Sequence, residues 1–536
     1  MRSYRIYRRG GIGLILAATC VAFPVGASFA QCELDTLIAS DSEAGDQFGS
    51  HIEIVGDLAV VAAPHDDDAG FKTGALYVYV RSGIEWVEQA KIVPKGVADS
   101  GGFGTSLAIS GERIIVGANS DDGPAGVDQG SAFIFRHEKD TWVQEARLLA
   151  DDAEHSDRFG VVDMDGDTIA IGAPYAHGVG IDSGAVYIYR LQADKWILEQ
   201  KIFSLEPLSA NFGAAVALQG DRLLVGAPET DDAAGAVYVF RRNGKQWNEV
   251  AKLTAPEGQE DDEFGTRVVM DGNLALISAR YDNLGDGYGE GSAHIFRRQG
   301  PAWLHEAMLV GGDTVPGDSF GYSVSLQGEM AAIGMYNNDG HPLGGATYVF
   351  KKVAKNWEQI AKLTPENAEE GDRFGWSVGV DGGFVWGGST IDLNTAGTVT
   401  IFAVDGEDCN SNDELDACDI AGGKSNDDDA DGIPDECQVP DDGDGDGVPD
   451  DADECPKSDL NDVIVIEDCD TMVTNLLFKD GCTMLDLIID CATGTANHGD
   501  FVSCVADLAN DWVQQGLITG AEHGSIVSCA AQSSLP

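Results

Sequence analysis

Basic residues are scarce in this chain, which has 33 Lys and Arg against 90 Asp and Glu and a formal net charge of −57. This shortage argues against nucleic acid and anionic membranes as partners, because both are recognised by clustered positive charge. Long apolar runs are also missing after residue 30, so no later segment is predicted to insert into a membrane. The acidity favours solubility, divalent cations or basic ligands instead.

The first 30 residues have the pattern of a signal peptide. Four arginines precede an apolar stretch over residues 12–23, and Ser28-Phe29-Ala30 supplies the small residues for cleavage near Ala30. The pair Arg8-Arg9 leaves twin-arginine export open, and Cys20 leaves a lipoprotein open. Removing the leader changes the net charge from −57 to about −61. We therefore expect a secreted, cell-surface or periplasmic protein.

Cysteine is missing from residues 33–405, although ten cysteines remain after cleavage near Ala30. One is Cys32 and the other nine follow residue 405. An even number in an exported chain favours disulfides. The long cysteine-poor part must then be held by its core, and the tail by cross-links.

A Phe-Gly pair recurs seven times at intervals of 52 to 56 residues. The pairs are Phe48-Gly49, Phe103-Gly104, Phe159-Gly160, Phe212-Gly213, Phe264-Gly265, Phe320-Gly321 and Phe374-Gly375. Each is followed by an apolar run that often ends in Gly-Ala-Pro and by an alternating run, and in the first six repeats a last strand with a Trp comes next. The first repeat predicts strands over 51–55, 58–63, 75–80 and 86–93. Repeats of this length with four strands each predict a mainly β fold, a seven-bladed β-propeller over residues 31–405.

The seventh repeat ends without its fourth strand, and residues 33–38 match that missing strand. We therefore predict that the N-terminal segment completes the last blade and closes the ring, which removes the exposed sheet edges. Cys32 would then lie near Cys409, with Cys418 as the rival disulfide partner.

The loops of the predicted propeller separate by charge. Loops that lead to each Phe-Gly pair share a face with loops that follow Gly-Ala-Pro, and this face is acidic, as in Asp66-Asp67-Asp68. Loops before the Trp strands lie on the opposite face and are basic, as in Arg241-Arg242. This polarity could orient a partner.

The Phe-Gly and Gly-Ala-Pro elements resemble FG-GAP repeats, the blades of integrin α-chain propellers, over roughly residues 32–405. The resemblance implies binding of extracellular ligands and a role in cell adhesion. Some blades of that family hold calcium between the two elements, but here the interval shrinks to turns such as Gln219-Gly220-Asp221, so those sites do not transfer. Blades five, six and seven depart from Gly-Ala-Pro. The Phe and Gly residues themselves are predicted to pack between blades.

Residues 406–456 are rich in Asp, Asn, Gly and Cys and predict calcium-binding repeats within 408–453. Oxygen ligands recur at the spacing of an EF-hand-type loop, which suits a hard divalent cation. The third loop offers Asp442, Asp444, Asp446, the Val448 carbonyl, Asp450 and Asp453; the second offers Asp427, Asp429, Asp431 and Asp435; the first offers Asp408, Asn410, Asn412, Asp416 and Asp419. The interleaved cysteines resemble thrombospondin type-3 repeats, where calcium replaces a hydrophobic core. A disordered acidic linker is the alternative.

Residues 457–536 predict a small helical domain with disulfides. Thr483 to Asp486 and Thr519 to Glu522 have the pattern of capping boxes, and Asp500 is the predicted N-cap of a helix with Phe501 and Trp512 on its apolar side. The cluster Asn497-His498-Gly499 is interpreted as a polar turn before that helix.

These observations predict an exported calcium-binding interaction protein without catalytic residues. We expect a monomer with a protein or glycan ligand on the acidic propeller face. The sequence has no nucleophile elbow, zinc-binding helix or phosphate loop. An extracellular hydrolase or lyase with its site at the central channel is an alternative, because carboxylates are abundant, and a structural envelope spacer is another. Aromatic residues gathered at the acidic mouth would favour ligand binding over the spacer.

Overall fold

A computed structural model describes most of residues 31–535. The described residues leave out 140, 179–181, 205–209, 285–288, 337–343, 370, 391–395, 411, 413, 429–431, 438–454, 456, 459 and 479–481. The predicted signal peptide and the third predicted calcium loop, residues 442–453, therefore lie outside the described part.

Seven four-stranded antiparallel sheets form the main body, as predicted. The first strands of the blades are β2 (His51–Val55), β6 (Phe103–Ser110), β10 (Val161–Asp165), β14 (Ala215–Gln219), β18 (Phe264–Asp271), β22 (Ser323–Gln327) and β26 (Ser377–Asp381). The second strands are β3 (Leu58–Ala63), β7 (Arg113–Ala118), β11 (Thr168–Ala173), β15 (Arg222–Ala227), β19 (Leu274–Ala279), β23 (Met330–Met335) and β27 (Phe384–Ser389). The third strands are β4 (Ala75–Ser82), β8 (Ser131–Glu138), β12 (Ala185–Gln192), β16 (Ala236–Asn243), β20 (Ser292–Gln299), β24 (Ala346–Val353) and β28 (Thr398–Ala403). The fourth strands are β5 (Glu85–Ile92), β9 (Thr141–Leu148), β13 (Lys195–Phe203), β17 (Gln246–Leu253), β21 (Ala302–Leu309), β25 (Asn356–Leu363) and, from the N-terminus, β1 (Cys32–Leu37).

The ring is closed by the N-terminal strand. β1 pairs antiparallel with β28, with Thr36 opposite Thr400 and Leu37 opposite Val399. The closing sheet has the order β1-β28-β27-β26, so the seventh blade has no unpaired third strand. The prediction that residues 33–38 complete the last blade is confirmed.

The Phe-Gly pairs are packing elements, as the sequence indicated. All seven Phe side chains are buried, and each meets an aromatic or His ring of the third strand edge to face; for example, the ring centroids of Phe159 and Tyr187 lie 5.2 Å apart. The Gly residues allow backbones of neighbouring blades to touch: a Cβ added to Gly226 of a Gly-Ala-Pro element would lie 2.1 Å from the Gly265 carbonyl oxygen of the next Phe-Gly pair. The repeat motif is therefore the contact between blades.

A short segment after the ring folds back onto the closing strand. Cys418 of helix α2 (Asp416–Ala421) and Leu415, the residue before this helix, form a small apolar cluster with Ala403. Cys418 forms a disulfide with Cys32, so the rival pairing is the one observed and the Cys32–Cys409 pairing is wrong. The reason is that α2 turns the Cys418 side chain toward the start of β1, while Cys409 is held in another disulfide.

The compact units of the chain divide between Glu436 and Cys437. The first unit also contains a short turn, α1 (Thr230–Ala233), whose backbone is left-handed at Asp231 and Asp232. The second contains β29 (Val463–Ile466), β30 (Cys469–Thr474), α3 (Met484–Gly494), α4 (His498–Gln515) and α5 (Gly520–Gln532), and a 3-10 turn, Asp435–Cys437, spans the division. Within the described part of the chain, no helix is both long and apolar enough to cross a membrane.

The second unit is a small helical fold with a hairpin, stapled by disulfides Cys455–Cys482, Cys469–Cys529 and Cys491–Cys504. Both predicted capping boxes are present, at Thr483 and Thr519. The predicted N-cap at Asp500 is wrong. Asn497 caps α4 by accepting a hydrogen bond from the Asp500 backbone N–H at 3.1 Å, and His498 starts the helix rather than preceding it.

Candidate functional site

A cavity of about 840 Å³ lies where the first strands of all seven blades meet. We call it the axial cavity. Hydrogen bonds between neighbouring blades hold its wall: the Ser106 hydroxyl oxygen accepts from the Val162 backbone N–H at 3.1 Å, and the Ser325 hydroxyl oxygen accepts from the Val380 N–H at 3.1 Å. The wall is therefore a fixed frame on which side chains can be presented.

The loops that lead into each Phe-Gly pair share one backbone feature. The residue before the Phe has a positive φ in every blade, the seven being Gln47, Gly102, Arg158, Asn211, Glu263, Ser319 and Arg373. In five blades a buried Asp precedes that residue and fixes the turn; for example, the Asp157 carboxylate accepts from the Glu154 backbone N–H at 2.8 Å. The turn brings Gln47, Arg158 and Asn211 to the lining of the axial cavity. This end of the cavity is its mouth.

Three aromatic side chains gather at one side of the mouth. Tyr322 and Trp376 line the cavity, and Tyr336 lies behind them; the ring centroids are 4.8 Å apart for Tyr322 and Trp376 and 4.4 Å apart for Tyr322 and Tyr336. Arg267 lies over the Tyr322 ring at 5.8 Å and Arg373 over Trp376 at 5.6 Å. We call these five residues the mouth cluster. A cation within about 6 Å of an aromatic ring centroid is attracted to the face of the ring, which helps to hold each guanidinium group in the cluster.

Three cations that line the axial cavity have no acidic partner among the described residues. They are Lys72, Arg158 and Arg267. Enclosure by the cavity wall lowers the pKa of Arg267, and the nearby charge of Arg280 acts in the same direction. Arg280 itself is paired with Glu263 at 2.9 Å. An anion entering the mouth would therefore meet positive charge that the described fold leaves unpaired.

Three further ionisable groups of the cavity wall have strongly shifted pKa values. Burial lowers the pKa of His51 to about 4, with the Arg267 charge adding to the effect. Burial raises the pKa of Glu53 to about 8, helped by the Asp163 charge. Burial also raises the pKa of Asp163 to about 7, although its carboxylate accepts hydrogen bonds from the Leu218 and Met164 backbone N–H groups. The enclosed wall thus favours neutral forms of all three groups.

Many carboxylates of the acidic face are engaged within their own blades. A cation on the fourth strand lies over a third-strand aromatic ring and pairs with a loop Asp in five blades, the pairs being Lys91 with Asp66, Arg147 with Asp121, Lys201 with Asp152, Lys252 with Asp231, and Lys362 with Asp313. Burial alone would lower the pKa of Lys91, but its hydrogen bonds to Asp41, Asp66 and Asp68 raise it. These acids stabilise blades as well as charging the surface.

In the first predicted calcium loop, hydrogen bonds link four of the five ligand candidates, Asp408, Asn410, Asn412 and Asp419. The Asn412 backbone N–H donates to Asp408 at 3.0 Å, and the side-chain amides of Asn410 and Asn412 donate to one oxygen of Asp419 at 3.1 and 2.7 Å. Asp416 accepts from the Cys409 N–H at 3.0 Å. The other oxygen of Asp419, Oδ1, is fully buried and has no hydrogen-bond donor among the described residues.

The second loop repeats part of this geometry. The Asp435 carboxylate accepts from the Asp428 N–H at 2.9 Å, as Asp416 does from Cys409, and Asp427 accepts from the Gly432 N–H at 3.0 Å. Asp429 and Asp431 lie outside the described residues, as do all six candidates of the third loop. The cluster Cys409, Asp416 and Cys437 does not offer thiolate ligands, because both cysteines are in disulfides.

A closed ring of seven four-stranded blades around an axial cavity defines the protein as a seven-bladed β-propeller. The description "FG-GAP repeat" matches residues 33–79, 86–135, 142–189, 196–240, 247–296, 303–350 and 357–402, which is more than half of the chain. The chain belongs to the FG-GAP repeat family.

Integrin alpha chains are among its curated relatives. Integrin alpha-6 of Homo sapiens is 32% identical over 143 residues, covering 24% of this chain and 12% of the integrin. Integrin alpha-7 of Rattus norvegicus is 28% identical over 172 residues, covering 29% and 14%. Integrin alpha-6 of Gallus gallus is 28% identical over 185 residues, covering 31% and 16%. The chain thus matches less than a fifth of the length of each of these integrins.

The sequence did not predict the mouth cluster. Its members come from repeats five, six and seven, and no two adjacent residues form a motif. One signal was present: the second residue after Phe-Gly is small or aliphatic in five repeats (Ser106, Val162, Ala215, Ser323 and Ser377), whereas Arg267 and His51 occupy that position in the others. A large charged residue at a repeat position that is small or aliphatic in the other repeats indicates that the side chain faces open space rather than the core.

Proposed function

We propose that the protein is an exported, calcium-binding interaction protein whose propeller binds an extracellular or cell-surface partner at the axial cavity. The observation that supports binding is the mouth itself, where Lys72, Arg158 and Arg267 lack acidic partners among the described residues while fourth-strand cations are paired. A spacer would have no use for aromatic and cationic side chains left available in a cavity. The similarity to integrin alpha chains also supports a role in protein interaction.

The binding role can be tested with a variant that fills the mouth. Ala214 lines the cavity next to a Phe-Gly pair, and Ala214→Trp would occupy space without removing a charge. We expect the mature wild-type chain to bind the surface of cells of the source organism, and the filled variant to lose most of that binding. Arg241→Glu on the opposite, basic side is the matched control and should bind normally. Equal binding by the filled variant would contradict the proposal.

The calcium component is supported by Asp419. A buried carboxylate oxygen without a donor is costly unless a cation or proton compensates it. Asp408, Asn410, Asn412, Asp416 and Asp419 supply the oxygen ligands that calcium prefers. Calorimetric titration should detect calcium binding that Asp419→Asn weakens at least tenfold. Glu414→Gln in the same loop is the control, since its side chain pairs with Lys424 instead.

An extracellular hydrolase or lyase is the second candidate. It is favoured by one observation, the proximity of Glu53 and Asp163 in the axial cavity, with pKa values raised to about 8 and about 7 by burial. Paired carboxyl groups in different protonation states can act as acid and base. Incubation of the mature chain with polysaccharide substrates, compared with Glu53→Gln, tests this role. Product formation by wild type and its loss in the variant would establish the enzyme.

A further inference from the structure

We propose that the axial cavity is a binding site for an acidic saccharide, whose uronate carboxylate meets Arg267 and whose sugar ring lies beside Tyr322 and Trp376. The inference rests on the proposed function and deepens it by naming the class of ligand. It depends on four features of the axial cavity, which are the cations that the described fold leaves unpaired, the aromatic rings, the volume and the amide side chains of the lining.

The charge selects an anion. Lys72, Arg158 and Arg267 line the cavity, and no carboxylate in the described part of the chain pairs with them. Arg158 lies over the Tyr175 ring at 5.3 Å and Arg267 over Tyr322 at 5.8 Å. Guanidinium groups bind planar carboxylates through paired N–H donors, and they remain charged at all ordinary pH values. Two of the three cations therefore lie beside aromatic rings at the mouth and have donors that suit such a ligand.

The size selects a sugar rather than a single acidic side chain. The cavity of about 840 Å³ falls within the range of about 300–1,000 Å³ typical of small-molecule sites. One Asp or Glu side chain from a protein partner would fill a small part of it and leave most of the wall hydrated. A saccharide of a few rings would displace that water along the whole mouth.

The uncharged lining agrees with a ligand that carries many hydroxyl groups. Gln47 and Asn211 hold the left-handed position before their Phe residues and line the cavity. Their side-chain amides make no hydrogen bond to any residue that the structure describes. Asn119 contributes a third amide, bonded only to Ser120 in the described fold. An amide offers both donors and an acceptor, which suits sugar hydroxyls. Aromatic rings at one side complete the usual amphipathic surface that a pyranose ring needs.

The surrounding charge limits how many carboxylates the ligand has. Loops around the mouth carry exposed acids such as Asp68 and Glu154, and the whole chain has a net charge of −57. A long polyuronate would lie across these acids and be repelled. The favoured ligand is therefore a short chain or a chain end with one to three acidic rings.

Calorimetric titration of the full mature chain with defined probes tests this inference. The probes are the trimers of galacturonate and glucuronate, their methyl esters, and a hexaglutamate peptide. We expect at least one uronate trimer to bind, its methyl ester to bind at least tenfold more weakly, and Arg267→Gln to weaken binding of the acid at least tenfold. Arg241→Gln is the matched control, since Arg241 pairs with Asp221 away from the cavity. A melting curve of Arg267→Gln that matches wild type shows that the effect is local.

Three results would overturn the proposal. They are binding of the methyl ester as tight as that of the acid, binding of the acid by Arg267→Gln as tight as by wild type, and failure of every uronate trimer to bind. Tight binding of hexaglutamate alone would assign the cavity to an acidic peptide and also reject the saccharide. If uronates fail while the filled variant Ala214→Trp still loses cell-surface binding, the interaction role stands and only the ligand class falls.

Discussion

At the scale of single residues, the contact between blades depends on glycine. Gly235 has a φ of +85° and a Cβ added there would lie 2.1 Å from the Phe264 carbonyl oxygen. We expect Gly235→Ala to lower the free energy of unfolding by about 3 kcal/mol or more, since backbone strain and overpacking act together. Gly244→Ala in an open hairpin turn, with φ +66° and no neighbour near its Cβ, should cost about 1 kcal/mol. Denaturant unfolding of both variants measures the difference, and equal losses would contradict the packing role.

A second residue-scale prediction concerns pH. The folded state holds the Glu53 pKa at about 8 through burial and the Asp163 charge, above the usual value for Glu. The native state therefore keeps a proton that the unfolded chain loses, and stability falls as pH rises from the unfolded pKa through about 8. Glu53→Gln removes this loss.

The test is denaturant unfolding of the Glu53→Gln variant at a pH near 4.5 and a pH near 8.5. We expect the variant to gain stability over wild type at the higher pH and much less at the lower pH. Glu85→Gln at the exposed start of β5 is the control and should show no such trend. A difference between Glu53→Gln and wild type that is the same at both pH values would show that Glu53 does not titrate as described.

At the scale of elements, a disulfide between distant parts of the chain joins the closing strand β1 to helix α2. Cys32 and Cys418 are separated by 386 residues, so their bond removes much of the freedom of the unfolded chain. Replacing both by Ser should lower the free energy of propeller unfolding by about 2–5 kcal/mol. Calorimetry that resolves separate transitions is the measurement. The control is replacement of Cys491 and Cys504, which close a loop of 13 residues in the other compact unit and should leave the propeller transition in place.

Helix α2 also changes the effect that we expect from removing calcium. From sequence, chelation is expected to loosen the Asp-rich segment and leave the propeller almost unaffected, because the propeller itself lacks loops that could hold calcium. The structure places Asp416, Cys418 and Asp419 on one short helix, and Cys418 is bonded to the closing strand. We therefore expect chelator to lower the propeller melting temperature in wild type, and Asp419→Asn to remove that sensitivity. If chelator leaves the melting temperature of the propeller unchanged, the Asp-rich segment acts only as a linker.

Strand boundaries in the propeller could be predicted from the sequence more accurately than the disulfide of Cys32 or the start of helix α4. The first two strands of the first repeat match β2 and β3 to the residue, because tight turns such as the one at Gly56 fix both ends. The disulfide partner of Cys32 was not decided, since the choice between Cys409 and Cys418 depends on how α2 packs against Ala403. The start of α4 was placed too late, because Asp500 and Asn497 both suit an N-cap and only backbone geometry separates them.

At the scale of the whole molecule, the calcium loop and the axial cavity differ in how they could be found. The ligands of the first loop lie within twelve residues, so their spacing is visible in the sequence. Arg267, Tyr322 and Trp376 come from three blades and meet only when the ring closes. Repetition predicted the frame well because seven copies agree, and it concealed the site because a site consists of the positions where the copies disagree.

The charge of the whole molecule gives the last prediction, which follows from the saccharide inference. The net charge of −57 repels an anionic ligand at long range, while Lys72, Arg158 and Arg267 attract it only inside the mouth. Salt screens distant charges more than enclosed ones, with a Debye length of about 8 Å at physiological ionic strength. The association rate of a uronate trimer should therefore rise when NaCl is increased from about 20 mM to about 150 mM. Stopped-flow measurement of the association rate is the test. A steep fall of this rate with salt would contradict the prediction, because it would mean that attraction by the cations of the mouth, and not repulsion by the acidic body, controls the approach of the ligand.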